Sequence, residues 1–328
     1  MTASAPVEPV DDRIVKLVSM SSDDPLAPFV LRPGKEYVFS PDGLAVIGYR
    51  LKFGTAVVGG DPVGDPDSWA AAMDEFVALM KSKRKRIAVL AAGERARDMW
   101  ASYGLAAVPI GRDVVVRPAE FDLVGRKFRN VRQAIQRTRN AGVTVETYLE
   151  MDTPDAVRRE LRKIVSDTGR DTERGFSMIL GHAFDGSQPE SLMVVASDAE
   201  GRILGSHRYL RAGEADLSLD IPVRVNDSPN GLDERLIAEA VEWAREHGVE
   251  RISLAFAPFP DLYIKEDKNK TERFLAALAH TLDPLIKVER LTRYLRKFHA
   301  FDKQRYVLLK WRQIIPVVMA LLTLEFSK

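Results

Sequence analysis

The sequence predicts an α+β protein with two halves of similar architecture, each a mixed β-sheet flanked by helices. The chain has 328 residues, which fits two domains of ordinary size. β-rich runs and helical segments follow one another in the same order in both halves, roughly 160 residues apart. Apolar residues make up 45% of the chain and charged residues 29%, a composition typical of globular proteins.

The first half begins with three β-rich runs, and the turn signal Pro41-Asp42-Gly43 separates the first two. A helix follows, because apolar residues from Trp69 to Met80 recur at three- and four-residue spacing. A buried-type strand, a short helix and two more strand-like runs complete this half. Its predicted strands are Tyr37–Phe39, Leu44–Tyr49, Phe53–Gly60, Ile87–Ala91, Leu105–Ile110 and Asp113–Arg117, and its short helix is Glu94–Tyr103.

The second half repeats this order. A helix near Asp155–Thr168 precedes four apolar runs with hairpin-type turns among them. Pro229-Asn230-Gly231 opens a helix whose apolar stripe runs from Leu232 to Ala244, and Gly248 closes it. The predicted strands are Phe176–Leu180, Ser191–Ala196, Arg202–Leu210, Ala215–Ile221, Val249–Phe256 and Tyr306–Trp311.

A meander followed by helix, strand, helix and strand is the order found in the acyltransferase fold called GNAT. The doubled pattern therefore predicts a tandem GNAT-like protein, with two unrelated α+β domains as the alternative. The predicted organisation is a flexible N-terminal tail over 1–25, a first GNAT-like domain over 26–122, a basic connecting helix over 123–142, a second GNAT-like domain over 143–313 and an apolar C-terminal segment over 314–328.

Charge and cysteine content limit the classes of function. Lys and Arg number 48 and Asp and Glu 47, so the net charge of +1 alone gives no sign of a polyanionic partner. The absence of Cys excludes disulfides, thiolate nucleophiles and cysteine-ligated zinc or iron–sulfur sites. No apolar run reaches the ~18 residues of a spanning helix, and the N-terminus lacks the features of a secretory signal.

The positive charge is nevertheless concentrated in segments, the first of which is a predicted helix over Val124–Gly142. It has six basic residues and no acid. Arg126, Arg129 and Arg137 lie broadly opposite its apolar face, and Arg132 lies on the flank. A one-sign arginine face suits the phosphates of RNA or lipid through bidentate contacts, whereas an ordinary solvated face is the alternative.

Two further segments are basic. Lys81–Arg86 has five basic residues out of six, which fits either a solvated helix C-terminus or a patch for phosphate or lipid headgroups. Lys287–Arg312 carries nine Lys or Arg against two acids, hence +7, with aromatic residues between them. The uncharged run Ile314–Leu324 follows. This pattern favours an interfacial anchor on anionic lipid or, equally, a last core strand with a packed C-terminal helix.

Few residues suit acid–base or metal chemistry. The five His residues form no HxxH or HExxH pair, so no metal site is expected, and no GxSxG motif is present. Gly59–Gly64 lacks the Lys-Ser/Thr of a Walker loop and favours a turn. Asp220 closes a predicted strand, with Arg224 four residues later. A carboxylate there can act as a base, hold an ammonium group or cap a turn.

The segment where a pyrophosphate-binding loop would be expected bears on which acyl donor the protein uses. GNAT enzymes that use acetyl-CoA have a Q/R-x-x-G-x-G/A loop whose amides bind the pyrophosphate at a helix N-terminus. The corresponding segment here reads VNDSPNGLDERL, which lacks the motif and puts two acids in the first helical turn. These acids would repel a pyrophosphate, so acetyl-CoA is not the expected donor.

Several short sequence motifs lie between Gly60 and Trp311. Each motif alone is weakly specific for a protein family, but their order and spacing together are fairly specific. They are Gly60–Gly64, Phe121–Lys127, Arg174–Ser177, Asp220–Val223, Asn230–Asp233, Ala257–Phe259, Lys297–Phe298 and Arg305–Tyr306. Together they resemble the cytosolic aminoacyltransferase domain of phosphatidylglycerol lysyltransferases, the MprF-type lipid aminoacylation enzymes. Asp220 stands at the Asp of the family's D-L-M-R motif, Val223 stands at its Arg, and Arg224 lies one position later.

The resemblance implies an enzyme that moves an aminoacyl group from aminoacyl-tRNA to a hydroxyl of phosphatidylglycerol or a related lipid. Asp220 would hold the ammonium of the amino acid or orient the attacking hydroxyl. The resemblance also implies that Arg224, Lys297 and Arg305 contact the tRNA terminal phosphate or the developing oxyanion. Arg126, Arg129 and Arg132 would bind the phosphates of tRNA or lipid. The other implied substrate contacts are Asp61, Asn230, Asp233 and Tyr306.

No cofactor is expected beyond aminoacyl-tRNA as a co-substrate, and the activated ester allows direct attack without a covalent nucleophile. The expected partners are aminoacyl-tRNA and anionic membrane lipid, with peripheral contact through 287–324 at the inner face of the membrane from the cytoplasm. Three rivals stay open: a tandem GNAT acting on a cell-wall precursor or soluble amine, as in Fem-type ligases, a CoA-dependent N-acyltransferase, and a degenerate GNAT that only binds lipid or RNA.

Overall fold

The computed structural model describes residues 11–21, 23–167, 180, 183–258 and 288–326. The predicted strand Phe176–Leu180 lies outside the described residues except for Leu180, and the motif segment Arg174–Ser177 lies outside them entirely. The strands are β1 (Glu36–Phe39), β2 (Ala45–Lys52), β3 (Thr55–Gly59), β4 (Val63–Gly64), β5 (Arg86–Ala92), β6 (Ala106–Val116), β7 (Thr144–Leu149), β8 (Leu192–Ser197), β9 (Ile203–Ala212), β10 (Asp216–Arg224), β11 (Arg251–Pro258) and β12 (Phe301–Leu309). The helices are α1 (Asp12–Met20), α2 (Trp69–Ser82), α3 (Glu94–Ala101), α4 (Arg129–Asn140), α5 (Asp155–Asp167), α6 (Leu232–Glu246), α7 (Val288–Arg296) and α8 (Ile314–Phe326).

These strands form one sheet in the order β1-β2-β3-β5-β12-β6-β11-β10-β9-β8-β7, with β4 beside β2. Each half has an antiparallel meander followed by a parallel strand that is reached through a helix. In the first half α2 connects β3 to β5, and in the second half α6 connects β10 to β11. The predicted α+β class and the repeated order of elements are confirmed.

The last strand completes the first half of the sheet. β12 lies between β5 and β6, with Leu308 opposite Val89 on one side and Ala107 on the other. β6 in turn pairs with β11 of the second half. The two halves therefore share a continuous sheet in which strands distant in sequence are neighbours. The predicted boundaries at 122 and 143 stay a prediction.

Helices cover both faces of the sheet. In the first half α2 and α3 pack on one face, and α1, a short 3₁₀ helix at Ala27–Leu31 and α8 pack on the other. In the second half α4, α6 and α7 pack on one face and α5 on the other. Alternate residues of each strand point to opposite faces, which is why both layers have apolar cores.

The segment predicted as a flexible tail over 1–25 contains α1. Asp11 accepts a hydrogen bond from the backbone N–H of Arg13 at 3.0 Å and caps this helix. Ile14, Leu17 and Val18 share one face and are buried. Burial of each such side chain contributes about 1.5–3 kcal/mol, which stabilises a nine-residue helix that is too short to persist alone.

The apolar segment after β12 is a helix that lies on the first half. α8 buries Val317, Ala320 and Leu324 against the core under β2, β3 and β5. Its opposite side exposes Ile315 and Met319. Within the described ranges, no helix has the length and hydropathy needed to cross a bilayer.

Candidate active site

The sheet opens between two strands of the second half. β10 and β11 pair in parallel only where Asp216–Ser218 lies beside Arg251–Ser253. Beyond that point, β10 pairs with β9 and β11 with β6, among the residues that the structure describes. A register shift between Leu219 and Pro222 marks the divergence, because a proline lacks the N–H that would continue a ladder. The equivalent strands β3 and β5 of the first half pair along all of β3.

An open cleft of about 750 Å³ lies at this end of β10, between the start of α6 and the end of α7. It is lined by Arg137, Arg224, Pro229, Asn230, Gly231, Asp233, Glu234, Tyr294 and Lys297. Four of the predicted site residues meet here: Arg224, Asn230, Asp233 and Lys297. The remaining charged and aromatic lining residues, namely Arg137, Glu234 and Tyr294, were not in the predicted site.

The negative charge of Asp233 in the cleft is balanced by two neighbouring side chains. Its carboxylate lies 3.2 Å from Nε2 of His207 and accepts a hydrogen bond from Nη1 of Arg224 at 3.3 Å. Burial raises the pKa of Asp233, but the hydrogen bond from His207 and the charges around it outweigh burial and lower the pKa overall. Nδ1 of His207 lies 3.1 Å from the Tyr209 hydroxyl, which fixes the ring. Asp233 is therefore held as an anion.

A second ion pair, between Lys297 and Glu234, contributes to the same lining. Nζ of Lys297 donates to Glu234 at 2.9 Å and lies 5.0 Å from the centre of the Tyr294 ring. The hydroxyl of Tyr294 is buried and has no hydrogen-bond partner among the described residues. Burial raises the pKa of Tyr294, so this hydroxyl stays neutral and can donate to a ligand. With Arg137, Arg224 and Lys297 against two acids, the lining carries a formal charge of +1.

Helix α4 and the 3₁₀ turn Arg126–Phe128 before it, which together form the basic helix predicted from the sequence, lie directly beside the cleft. Gly231, at φ +104, lies so close to α4 that an added Cβ would be 2.6 Å from the Ala134 carbonyl oxygen. This contact explains why glycine precedes α6 and places α4 beside the cleft. Arg137 reaches the cleft lining, and Arg126 and Arg129 point into solvent without an ion pair to any described acid. Arg132 instead donates to the backbone carbonyls of Leu123 and Gly125.

Asp220 lies in a buried network on the other face of the sheet. Arg208 donates from Nη1 to Asp220 at 2.9 Å and from Nε to Glu150 at 2.7 Å. Asp220 also accepts the Leu180 N–H at 2.7 Å, and its side chain is 0% exposed. Burial raises the pKa of Asp220, and the Arg208 charge opposes that rise. Because His207 and Arg208 are consecutive strand residues, they point to opposite faces.

Arg305 and Asp61 lie in a second buried network, at the junction of β12, β5 and β6. Nε of Arg305 donates to Asp113 at 2.7 Å, Nη2 donates to Asp24 at 2.9 Å, and Nη1 lies 3.6 Å from Asp61. The Arg305 side chain is 2% exposed. Tyr306, the next residue, accepts a hydrogen bond from Arg97 at 2.8 Å. The structure thus does not bring Arg305, Asp61 or Tyr306 to the cleft.

Replacing Asp220 by asparagine is expected to lower the free energy of unfolding by about 3 kcal/mol, because it breaks a fully buried ion pair. Urea unfolding followed by circular dichroism measures this change. Asp227→Asn is the control, since Asp227 pairs with Arg202 at 2.7 Å on the surface and its loss should have a much smaller effect. Unfolding of both variants at the same urea concentration would support a direct chemical role for Asp220 instead.

Comparison with known proteins identifies the family to which this chain is related. The sequence profile of the family described as phosphatidylglycerol lysyltransferase, C-terminal, matches residues 15–309. The chain is 43% identical over 322 residues to the MprF-like domain protein Rv1619 of Mycobacterium tuberculosis, covering 96% of this chain and 66% of that protein. It is 36% identical over 249 residues to the lysylphosphatidylglycerol biosynthesis bifunctional protein LysX of Rhodococcus jostii, covering 75% of this chain and 22% of LysX. The chain thus spans just under two thirds of the first relative and about a fifth of the second.

The solved structure of L-PGS from Bacillus licheniformis has the same fold. It superposes with a TM-score of 0.82 at 21% sequence identity, over 98% of this chain and 97% of that one. The predicted tandem GNAT-like α+β class is confirmed. The resemblance drawn from the short motifs is confirmed as well. This chain belongs to the family of phosphatidylglycerol lysyltransferase C-terminal domains.

Proposed function

We propose that the chain transfers an aminoacyl group from aminoacyl-tRNA to a hydroxyl of phosphatidylglycerol or a related membrane lipid, in the cleft beside β10. The observation that carries the proposal is the meeting of a mixed-charge cleft with the arginines of α4 and of the 3₁₀ turn before it, of which Arg126 and Arg129 form no ion pair with a described acid. The name of LysX, a lysylphosphatidylglycerol biosynthesis protein, supports the same lipid chemistry. The proposal includes action at the cytoplasmic face of the membrane, where charged tRNA is available.

The charges of the cleft match the charges of such substrates. An aminoacyl ester has a free ammonium group, and the anionic Asp233 and Glu234 are suited to bind it. Arg126, Arg129 and Arg137 are suited to the phosphates of the tRNA acceptor end, since arginine binds phosphate bidentately.

The reaction needs no covalent intermediate and, in this proposal, no cofactor. The lipid hydroxyl oxygen bonds to the ester carbonyl carbon, the bond from that carbon to the tRNA ribose oxygen breaks, and the hydroxyl proton ends on that ribose oxygen. Negative charge builds up on the carbonyl oxygen during the attack. Arg224 and Lys297 at the cleft, together with the Tyr294 hydroxyl, which has no hydrogen-bond partner in the described part of the chain, are suited to stabilise that charge.

The test is incubation of the purified chain with tRNAs charged with one radiolabelled amino acid at a time and phosphatidylglycerol dispersed in detergent. We expect a labelled aminoacyl-lipid that requires both the charged tRNA and the lipid. A soluble amine and a cell-wall precursor serve as competing acceptors, and acetyl-CoA serves as a competing donor. Absence of labelled lipid with every charged tRNA would overturn the proposal, as would preferential labelling of a soluble acceptor.

A further inference from the structure

One end of the sheet gathers three surface segments that the cleft does not use. β3 begins at Thr55 beside Arg86, the first residue of β5, and the N–H of Arg86 donates to the Gly54 carbonyl at 3.0 Å. β12 ends at the same side, because it runs antiparallel to β5, with Tyr306 opposite Ala92 and Leu308 opposite Val89, and therefore ends toward the start of β5. The β2–β3 turn, the run Lys81–Arg86 and the link Lys310–Gln313 therefore meet at this end, here called the basic end.

The basic end exposes large apolar side chains. Phe53 in the β2–β3 turn is 56% exposed, and Trp311 in the link to α8 is 52% exposed. Ile315 is 76% exposed and Met319 55%. Ile315 and Met319 are four residues apart on the outer side of α8, and Trp311 lies in the 3₁₀ turn directly before that helix, so the three form one exposed apolar stripe. An exposed stripe of this kind on a folded surface indicates an interaction site.

Exposed cations lie at the same end of the sheet as this stripe. The exposed Lys and Arg side chains of the two basic runs, Lys81–Arg86 and Lys310–Gln313, are Lys81, Lys83, Arg84, Lys85, Lys310 and Arg312. Neither run contains an acid, and none of these six side chains forms an ion pair with a residue that the structure describes. Surface cations elsewhere on the chain are frequently paired, as Arg202 is with Asp198 and Asp227.

We propose that the basic end is the face by which this protein docks on an anionic bilayer surface. Trp311, Ile315 and Met319 enter the boundary between headgroups and acyl chains, and the surrounding cations contact lipid phosphates. Charge complementarity selects a membrane over a second copy of this chain, whose own basic end would repel it. The inference deepens the proposed function and rests on it, because an enzyme whose acceptor is a membrane lipid must reach the bilayer.

Co-sedimentation with vesicles of phosphatidylcholine, with and without phosphatidylglycerol, tests this face on the full chain. We expect binding only to vesicles that contain phosphatidylglycerol, with weaker binding at higher salt. The combined variant Trp311→Ser/Ile315→Ser/Met319→Ser should bind at least about tenfold more weakly. The combined variant Lys83→Gln/Lys85→Gln/Lys310→Gln/Arg312→Gln should show a loss of at least similar size, roughly tenfold or more.

Matched controls carry the same chemical changes on other surfaces. Leu44→Ser/Met151→Ser removes two exposed apolar side chains elsewhere, and Lys16→Gln/Lys163→Gln removes two exposed lysines on α1 and α5. Both controls should bind vesicles like the unmodified chain. Equal losses in variants and controls would overturn the proposal. The proposal would also be overturned if the unmodified chain forms a dimer and the apolar variant loses this dimer but keeps its binding to vesicles.

Transfer assays separate this inference from the proposed function. Variants of the basic end should lose transfer to phosphatidylglycerol in vesicles but keep transfer to phosphatidylglycerol dispersed in detergent. Transfer in detergent by the unmodified chain, without any binding of that chain to vesicles, would overturn the docking face alone. Vesicle binding that depends on the basic end, without transfer in either form of lipid, would overturn the proposed function and leave the docking face standing.

Discussion

Replacing Arg305 by methionine is expected to lower the free energy of unfolding by about 3–5 kcal/mol, the range for breaking a buried ion pair from one side. The guanidinium is the shared partner of Asp24, Asp61 and Asp113, and the substitution leaves all three carboxyl groups without it. Burial opposes the charge of Arg305, but the three carboxylates outweigh burial and hold its pKa above the ordinary value. Urea unfolding measures the change.

This effect should depend on pH with a definite sign. Burial and the charge of Asp24 raise the pKa of Asp61 to about 7, although Arg305 and the Gly93 N–H lower it. Loss of Arg305 should raise the carboxyl pKa values further in the folded state. A carboxyl whose pKa is higher in the folded than in the unfolded chain gains stability as pH falls between those two values. Below about pH 7 Asp61 is protonated in both folded forms, so the difference between the unmodified chain and Arg305→Met should shrink as pH falls toward about 7 from above.

Arg202→Met is the control for Arg305→Met, because Arg202 pairs with two carboxylates at the surface. Its effect on unfolding should be much smaller. Arg305→Lys should fall between the unmodified chain and Arg305→Met, since an ammonium keeps the charge but cannot reach three carboxyls as the guanidinium fork does. An Arg305→Met chain of normal stability that has lost lipid aminoacylation would instead support the substrate contact predicted from the sequence.

The fold was predictable where the signal is local. Apolar spacing from Trp69 to Met80 predicts α2, and turn residues mark the hairpins between β8, β9 and β10. The pairing of β12 with β5 and β6 was not predictable, because it joins Arg305 to Gly111 across most of the chain. A local pattern shows that a strand is buried but does not identify its neighbours.

The same limit applies to the candidate site. Arg224, Asn230 and Asp233 are close in sequence, so short motifs predict them together. The motif Lys297–Phe298 predicts Lys297 as well. Tyr294 lies three residues before Lys297, a spacing that puts both on one side of α7 and its C-terminal extension. That spacing could have identified Tyr294.

Other parts of the site depend on contacts between distant segments. The pair between His207 and Asp233 depends on how β9 packs against α6. The buried positions of Asp220 and Arg305 depend on partners such as Glu150 and Asp113, which no motif connects to them.

Lys297→Met is expected to lower kcat/KM for the proposed lipid aminoacylation about a hundredfold to a thousandfold, the usual cost of removing one group that stabilises a developing oxyanion. The Lys297 side chain is 39% exposed and faces the cleft, so its ammonium can reach a substrate. Lys163→Met on α5 is the matched control and should keep full activity. Labelled-lipid formation at varied tRNA and lipid concentrations gives kcat and KM separately.

The ion pair with Glu234 provides the second half of this test. If Lys297 serves only to neutralise Glu234, whose side chain is 8% exposed, then Lys297→Met/Glu234→Gln should recover most of the lost activity. If Lys297 acts on the substrate, the double variant should stay as impaired as Lys297→Met or become worse, since Glu234 is proposed to bind the ammonium group. The coupling of the two substitutions distinguishes these roles, because residues in one network are not additive. Recovery in the double variant would remove Lys297 from the reaction and leave Arg224 as the cation of the cleft nearest to Asp233.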